Sequence, residues 1–383
     1  MRRKILFING HLNVGGVEKS LVDILKHLDY DRYEVDLLLL EGLGDYAHEI
    51  PKEVNIKLCS LKNTYGALLP CLLNCIKKAD WFSLKMRLIF LMMKLFGQKY
   101  IKYAQSSLTQ NHFYDCVIGF RSGICTQIAA FAVNADKRIT WWHHGEFNVS
   151  AKEYEENIGV CDKVVSVSES CAEMLLQNMP KIGEKLVVVP NMVDTEALEK
   201  KCSSDSVYSG NEVHLVTVAR LAPEKHIENI IYSAKQLKRV GYQLCWHIVG
   251  DGDMKERLEI LLSENKVEDC VILEGSKANP YSYMKDATLY VHPSYVESQG
   301  LTILEAMALG VPCVVTKSRG PSEFIRNGEN GLLVETGWEA LCEGVEKMLK
   351  DKMLYKKIKD NSKCPEKFSP HIVMKVIENI LLN

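Results

Sequence analysis

Short runs of Val, Ile and Leu that do not alternate with polar residues recur along this chain, and they constrain its fold more than any other feature. In the first half they are Ile5–Ile8, Val35–Leu40, Cys116–Phe120, Ile139–Trp142 and Val164–Val167. In the second half they are Val213–Ala219, Leu244–Val249, Val271–Leu273, Thr288–Val291, Cys313–Thr316 and Leu332–Val334. A strand with one wet face alternates in hydropathy. A strand covered on both faces does not, and such strands occur mainly in parallel sheets flanked by helices. Segments of helical period lie between the runs, among them Ser20–Leu28, Glu228–Val240, Met254–Ser263, Leu301–Leu309 and Gly344–Lys350. This alternation predicts an α/β fold.

The pattern restarts. Lys4–Gly10 reads as a strand ending in a glycine loop, and Val213–Arg220 repeats that beginning. A chain of 383 residues is too long for one ordinary domain and suits two. Ser203–Gly210 is polar and aperiodic, as a linker is. We therefore expect an N-terminal domain over 1–190, a linker over 191–210 and a C-terminal domain over 211–365. A terminal helix is expected within 366–383, periodic over Phe368–Leu382.

Lys plus Arg number 47 and Asp plus Glu 49, a net charge of −2, which excludes a polycation that coats nucleic acid. With 47% hydrophobic and 25% charged residues the chain can bury a substantial core, which excludes wholesale disorder. None of the 13 cysteines forms a CxxC pair, so zinc-ribbon spacing is absent and buried thiols in a reducing compartment are expected. Only about four apolar residues precede Asn9, too few for a secretory signal, and no unbroken apolar run is long enough to span a bilayer. These features predict a cytoplasmic location.

Residues 65–104 differ from the rest. Lys77, Lys78, Lys85, Arg87, Lys94, Lys99 and Lys102 stand against the single acid Asp80, with Leu68, Leu69, Leu72, Ile76, Trp81, Phe82, Phe90 and Phe96 between them. Two readings stay open. A basic amphipathic helix pair suits an anionic membrane surface, which would make the protein peripheral on the cytoplasmic face. A helical hairpin packed on its own domain, with solvated lysines, accounts for the same residues.

Several motifs sit at strand–helix junctions. Gly15 and Gly16, in Gly10-His-Leu-Asn-Val-Gly-Gly-Val-Glu18, follow the first strand and open a helix, where backbone amides and the helix dipole can meet an anion or simply form a tight turn. Lys is missing from the Walker position and the GxGxxG spacing is absent. Val249-Gly250-Asp-Gly252-Asp253 also lacks the third glycine, and its acids would repel a pyrophosphate. Arg220 ends a strand and Pro223 turns Lys225 back toward the same end, where open α/β sheets bind ligands. Two cations there could clamp a diphosphate or remain solvated. In His292-Pro-Ser-Tyr-Val-Glu297-Ser-Gln-Gly300-Leu-Thr-Ile-Leu-Glu305, a loop delivers Glu297 and Gly300 opens an apolar helix carrying Glu305. A carboxylate on such a helix needs donors, which sugar hydroxyls or an internal partner would supply. Free amides at Leu301 and Thr302 would face a phosphate.

In combination these motifs resemble glycosyltransferase family 4, retaining enzymes of the GT-B fold that act in capsular, exopolysaccharide or cell-wall glycan synthesis. The resemblance rests on Glu297 and Glu305 with seven residues between them and on Arg220 and Lys225 five apart. It extends to Gly15-Gly16-Val-Glu18, His144 in Trp-Trp-His-His-Gly, Ser166-Val-Ser-Glu-Ser170, Pro190-Asn-Met-Val-Asp194 and Gly250-Asp-Gly252, in the family's order along nearly the whole chain. Ser298-Gln299 stands where the family has Gly and an aromatic or Pro, and Met192 where it often has Gly.

The resemblance implies two Rossmann-like domains facing each other across a cleft, with the C-terminal helix returning to the N-terminal domain. It implies that Arg220 and Lys225 neutralise the donor diphosphate and that Glu305 binds the ribose hydroxyls. Glu297 would contact the donor sugar, Gly300 and Leu301 would lie on the phosphates, and Gly250 and Thr302 would belong to the same donor site. Lys277 and Asn279 would fall where the base is held, and Gly15, Gly16 and His144 would approach the sugar from the other domain. Fixed cations and helix N-termini aimed at the departing diphosphate suit such chemistry, so no metal and no other cofactor is expected. His143 and His144 are not a metal pair, since neighbours on a strand point oppositely. The function implied is transfer of a sugar from a nucleotide donor, UDP-linked, to a glycan or lipid-linked acceptor. The competing readings are a non-catalytic nucleotide-sugar-binding partner of a larger synthase and a GT-B sugar-nucleotide epimerase.

Overall fold

A computed structural model describes residues 2–147, 156–202, 206–209, 212–277 and 279–382. The chain divides into two units, Met1–Pro190 with Met374–Asn383, and Asn191–Val373. The first holds strands β1 (Arg3–Asn9), β2 (Tyr33–Leu39), β3 (Val54–Leu58), β4 (Phe113–Gly119), β5 (Asn134–Trp142), β6 (Lys163–Ser166) and β7 (Leu186–Val188). They form one sheet in the order β3-β2-β1-β4-β5-β6-β7, paired in parallel throughout. The second unit holds β8 (Val213–Val218), β9 (Leu244–Val249), β10 (Val271–Gly275), β11 (Leu289–His292), β12 (Cys313–Thr316) and β13 (Leu332–Val334). Their order is β10-β9-β8-β11-β12-β13, again parallel.

The apolar runs become these strands because both faces are covered. Ile5, Leu6, Phe7 and Ile8 of β1 and all six residues of β9 are buried. In each sheet the chain winds outward on one side of its first strand and then returns to the other. The direction reverses between β1 and β4 and between β8 and β11, and it is outside the carboxyl ends at such points that open α/β sheets have their ligand crevice. Two strands lie outside the apolar runs named above. β3 and β7 are the ends of the first sheet, and neither is covered on both faces.

The helix predicted from Gly344 runs over Trp338–Lys350. Gly344 does not start it. A Cβ there would lie 2.5 Å from Val334 Cγ1, so the glycine lets the helix press onto β13. Within the stretch read as a linker, Thr195–Lys201 is a helix capped by Asp194, and its Leu198 lies in the second unit's core. Residues 203–205 and 210 of that stretch lie outside the described residues. The terminal helix spans Pro370–Leu382, and its residues from Met374 group with the first unit. There Arg3 donates to the carbonyls of Leu381 and Leu382, Lys137 donates to that of Ile380, and Arg32 pairs with Glu378.

Residues 65–104 form the helices Leu68–Lys77 and Trp81–Phe96, the second capped by Asp80, whose carboxylate accepts the Ser83 N–H. One face does what the packed-hairpin reading requires: Met86, Ile89 and Met93 join Ile101, Leu108 and Ile128 in the core. The other face leaves Leu69 67%, Trp81 66%, Leu95 63% and Phe96 60% exposed, amid the lysines. Among the described residues no helix is long and apolar enough to cross a membrane. All 13 cysteines are free thiols, most of them buried.

Candidate functional site

In the second unit the residues singled out in the sequence gather where β8 and β11 end side by side. Beyond β8 the chain turns tightly at Pro223–Lys225 and leaves through His226 at φ +48°. The turn aims Lys225 Nζ at Glu297 Oε1, 2.6 Å away. His292, the last residue of β11, places Nε2 2.7 Å from the same oxygen. Burial alone would raise the Glu297 carboxyl, but the charges and hydrogen bonds of Lys225 and His292 hold it well below the usual carboxylate range. His292 Nδ1 sits 3.1 Å from the Tyr290 hydroxyl, which donates to Thr302 Oγ1 at 2.8 Å.

The two cations do not form one bare clamp. Arg220, 68% exposed, pairs with Glu224 at 2.6 Å, while Lys225 is taken by Glu297. Each positive charge at this crevice therefore has its own carboxylate to exchange. Glu224 and His292 were not singled out in the sequence. His292 could have been, because it ends the very strand that delivers Glu297.

The helix Leu301–Ala308 opens at Gly300, whose φ of +86° is left-handed and whose Cβ would lie 2.9 Å from Ile303 Cδ1 and 3.1 Å from Pro321 Cγ. Only glycine lets the loop meet the helix there. Its first turn begins with Leu301 and Thr302. One turn on, Glu305 is buried and accepts a hydrogen bond from the Tyr281 hydroxyl at 3.1 Å. Gly250 is a packing glycine: its N–H donates to the Gly275 carbonyl at 2.9 Å, and a Cβ would lie 1.9 Å from Ala219 O. Lys277 lies 4.0 Å from Glu274 and over the Tyr283 ring. Asn279 accepts the Tyr281 N–H and donates to the Lys201 carbonyl. Gln299 is buried and makes two hydrogen bonds to the main chain of Asn191, accepting its N–H at 2.7 Å and donating to its carbonyl at 3.0 Å. The loop between the two glutamates is thereby fastened to the residue where the second unit begins.

The first unit has its own cluster at the ends of β1 and β4. Gly15 precedes the helix Gly16–His27, and a Cβ on it would lie 2.5 Å from Glu18 Oε2. Glu18 is buried, 3.4 Å from Arg121 Nη1 and 3.7 Å from His11 Nδ1. Arg121 Nη1 also lies 3.2 Å from His11 Nε2. Arg121 was not foreseen, since nothing in its local sequence connects it to a loop some hundred positions earlier. His144 Nε2 is 3.0 Å from Ser122 Oγ. Its neighbour His143 is buried against Phe120 and Trp141, and burial, then His144, push its ring down to about 3, so it is neutral and part of the core.

Solved structures share this architecture along the whole chain. Anabaena HepE in complex with UDP-glucose superposes with a TM-score of 0.71 at 19% identity, covering 100% of each chain. A mutant of S. aureus TarM, in complex with fondaparinux, alpha-GlcNAc-glycerol and UDP, superposes at 0.73 and 15% identity, again over 100% of each. Both are GT-B structures, and the likeness places the two Rossmann-like units of this chain in that fold. Among curated relatives, the Staphylococcus aureus poly(ribitol-phosphate) alpha-N-acetylglucosaminyltransferase is 27% identical over 192 residues, 50% of this chain and 37% of that protein. The Campylobacter jejuni N-acetylgalactosamine-N,N'-diacetylbacillosaminyl-diphospho-undecaprenol 4-alpha-N-acetylgalactosaminyltransferase is 29% identical over 208 residues, 54% of this chain and 56% of that protein. The chain thus spans less than two thirds of either relative. An uncharacterized glycosyltransferase of Haemophilus influenzae aligns over 95% of both chains at 23% identity. Residues 203–364, the stretch that holds Arg220, Lys225, Glu297 and Glu305, match the family model of the glycosyl transferases group 1.

Proposed function

We propose that the protein is a retaining glycosyltransferase of family 4 that moves a sugar from a UDP-linked donor to a glycan or lipid-linked acceptor. The observation that carries the proposal is the convergence of Lys225 and His292 on one buried Glu297 oxygen, beside a helix opened by Gly300, where β8 and β11 end. Breaking a glycosyl–phosphate bond leaves negative charge on the diphosphate. Arg220 and Lys225 exchange their carboxylates for it, and the amides of Leu301 and Thr302 add the helix dipole. These groups hold the charge that a divalent cation would otherwise hold. Glu297, released from Lys225, faces the sugar, and Glu305 takes the ribose hydroxyls. Gly15, Gly16 and His144 of the first unit are assigned to the sugar and acceptor side. The acceptor approaches from the face the diphosphate leaves, so no enzyme nucleophile is needed.

UDP at a hundredfold its Kd should stabilise the protein by about 2.7 kcal/mol in thermal unfolding. Purified protein with a UDP-sugar and a lipid-linked glycan should form product with the anomeric configuration retained. UDP that leaves the melting temperature unchanged, together with no release of UDP from any UDP-sugar tried, would overturn the proposal.

The exposed face of the helices Leu68–Lys77 and Trp81–Phe96 fits the lipid-linked acceptor. Its apolar residues would enter the headgroup boundary of an anionic leaflet, and each nearby Lys or Arg adds about 1 kcal/mol. In flotation, the protein should rise with vesicles containing anionic lipid and stay behind with neutral ones. Trp81→Ala with Phe96→Ala should abolish the difference. A wild-type protein that stays behind in both removes the membrane from the proposal and leaves the donor site untouched.

A further inference from the structure

The second unit carries a cluster that the sugar-transfer reading does not use. His214 is the second residue of β8, and Cys245 and His247 lie on β9. Register sets His214 directly opposite Cys245, and residues two apart on a strand share a face, so the three side chains rise from the same side of the sheet. One donor atom from each lies within 4.8 Å of the others.

The two rings meet at the long end of the hydrogen-bond range, at a spacing that a shared cation also fits. His214 Nδ1 and His247 Nε2 are 3.4 Å apart, beyond the usual range for an N–H donor and its acceptor. On its far side His247 Nδ1 lies 2.9 Å from Glu274 Oε1 of β10. A carboxylate can only accept, so Nδ1 carries the proton and the Nε2 lone pair points at His214. A carboxylate that orients an imidazole in this way is the usual outer partner of a metal-bound histidine. With Zn–N near 2.05 Å, the edge between two nitrogens of a tetrahedral zinc is about 3.3 Å, which matches the separation of the rings. An edge to a thiolate is about 3.6 Å, so the sulfur has at most about 1 Å to close.

The surroundings hold the rings in place. Tyr208 stacks on His214 with ring centroids 4.4 Å apart and lies 4.6 Å from His247, and its hydroxyl donates to the Tyr283 carbonyl. The Tyr283 hydroxyl in turn donates to Glu274 Oε2 at 3.0 Å. His247 and Cys245 are buried, so the ligands would sit under an aromatic cover.

We propose that His214, Cys245 and His247 form a binding site for a borderline-soft divalent cation of the Zn(II) class, oriented by Glu274. Two imidazoles and a thiolate select such a cation over Mg(II), Ca(II) or Mn(II), which favour oxygen. Cys245 binds as the thiolate, and its proton goes to solvent. The site lies toward the amino ends of the strands. Arg220 is six positions beyond His214, or about 20 Å along an extended chain, so the cation ties β8 to β9 away from the donor crevice.

The test uses the full chain, stripped with chelator and titrated with Co(II). One equivalent should produce a thiolate-to-cobalt charge-transfer band with tetrahedral d–d absorption. Zn(II) should displace it and raise the melting temperature. Cys245→Ser should lose the charge-transfer band. His214→Gln, at a position less buried than Cys245, should weaken binding at least a hundredfold. UDP binding should be unchanged in both. Absence of the band in the wild type, or its persistence in both variants through other thiols, would overturn the site.

Discussion

Lys225→Ala is expected to cut turnover with a UDP-sugar at least tenfold, about 1.4 kcal/mol in barrier. The same change should destabilise the second unit by about 3 kcal/mol, because Glu297 stays buried with only His292 to answer its charge. The two effects can be separated. Adding Glu297→Gln removes the stranded charge, so the double variant should recover stability but not turnover. The ion pair also sets a pH dependence. The Glu297 carboxyl is held below its ordinary value, so the pair's contribution is complete above about pH 4.3 and is lost as pH falls through the depressed value. Turnover of Lys225→Ala at the wild-type rate would remove this crevice from the reaction. Unchanged unfolding would show that the pair adds nothing to the fold.

Gly250→Ala should damage the fold at least as much as the loss of the Lys225 charge. Its φ is +154°, which side-chain-bearing residues rarely adopt, and a methyl group would lie 1.9 Å from the Ala219 carbonyl oxygen. No rotamer can relieve a Cβ clash, so the ends of β8 and β9 must separate. That also breaks the hydrogen bonds from Ala219 N–H to the Val249 carbonyl and from Leu221 N–H to the Asp251 carbonyl. We expect a loss of about 3 kcal/mol or more, seen as a lowered denaturation midpoint or as insoluble protein. Gly310→Ala is the control. It too has a positive φ, but a Cβ there meets no heavy atom within 4 Å, so strain without a clash should cost about 1 kcal/mol. Equal losses in the two variants would contradict the clash. The motif Gly250-Asp-Gly252 lies at this close approach. Here both glycines serve to bring two backbone segments together, Gly252 against the Leu221 carbonyl.

The strands buried on both faces were readable because two-sided burial leaves a local trace, an apolar run without alternation. β3, at an edge of its sheet, alternates instead as Val54-Asn-Ile-Lys-Leu58, and the helix over Thr195–Lys201 was hidden by its polar surroundings. The second helix of the basic segment, Trp81–Phe96, illustrates the limit differently. Composition showed a helix pair with apolar and cationic residues, but only packing separates Met86, Ile89 and Met93, which enter the core, from Leu95 and Phe96, which do not.

Local chemistry along the chain determined the α/β layering, the restart of the pattern near Val213, and the motifs at the strand ends. These depend on period, on glycine at turns and on what each strand can bury, and all are properties of neighbours in sequence. Tertiary structure alone decided the pairings. Lys225 meets Glu297 across 72 positions, Gln299 meets Asn191 across 108, and Arg220 turns instead to the nearby Glu224. His214 reaches His247 only because β8 and β9 lie side by side in one register. Which charge finds which partner depends on strand order and register, and those are settled by the burial of the whole sheet, not by the residues that end up in contact.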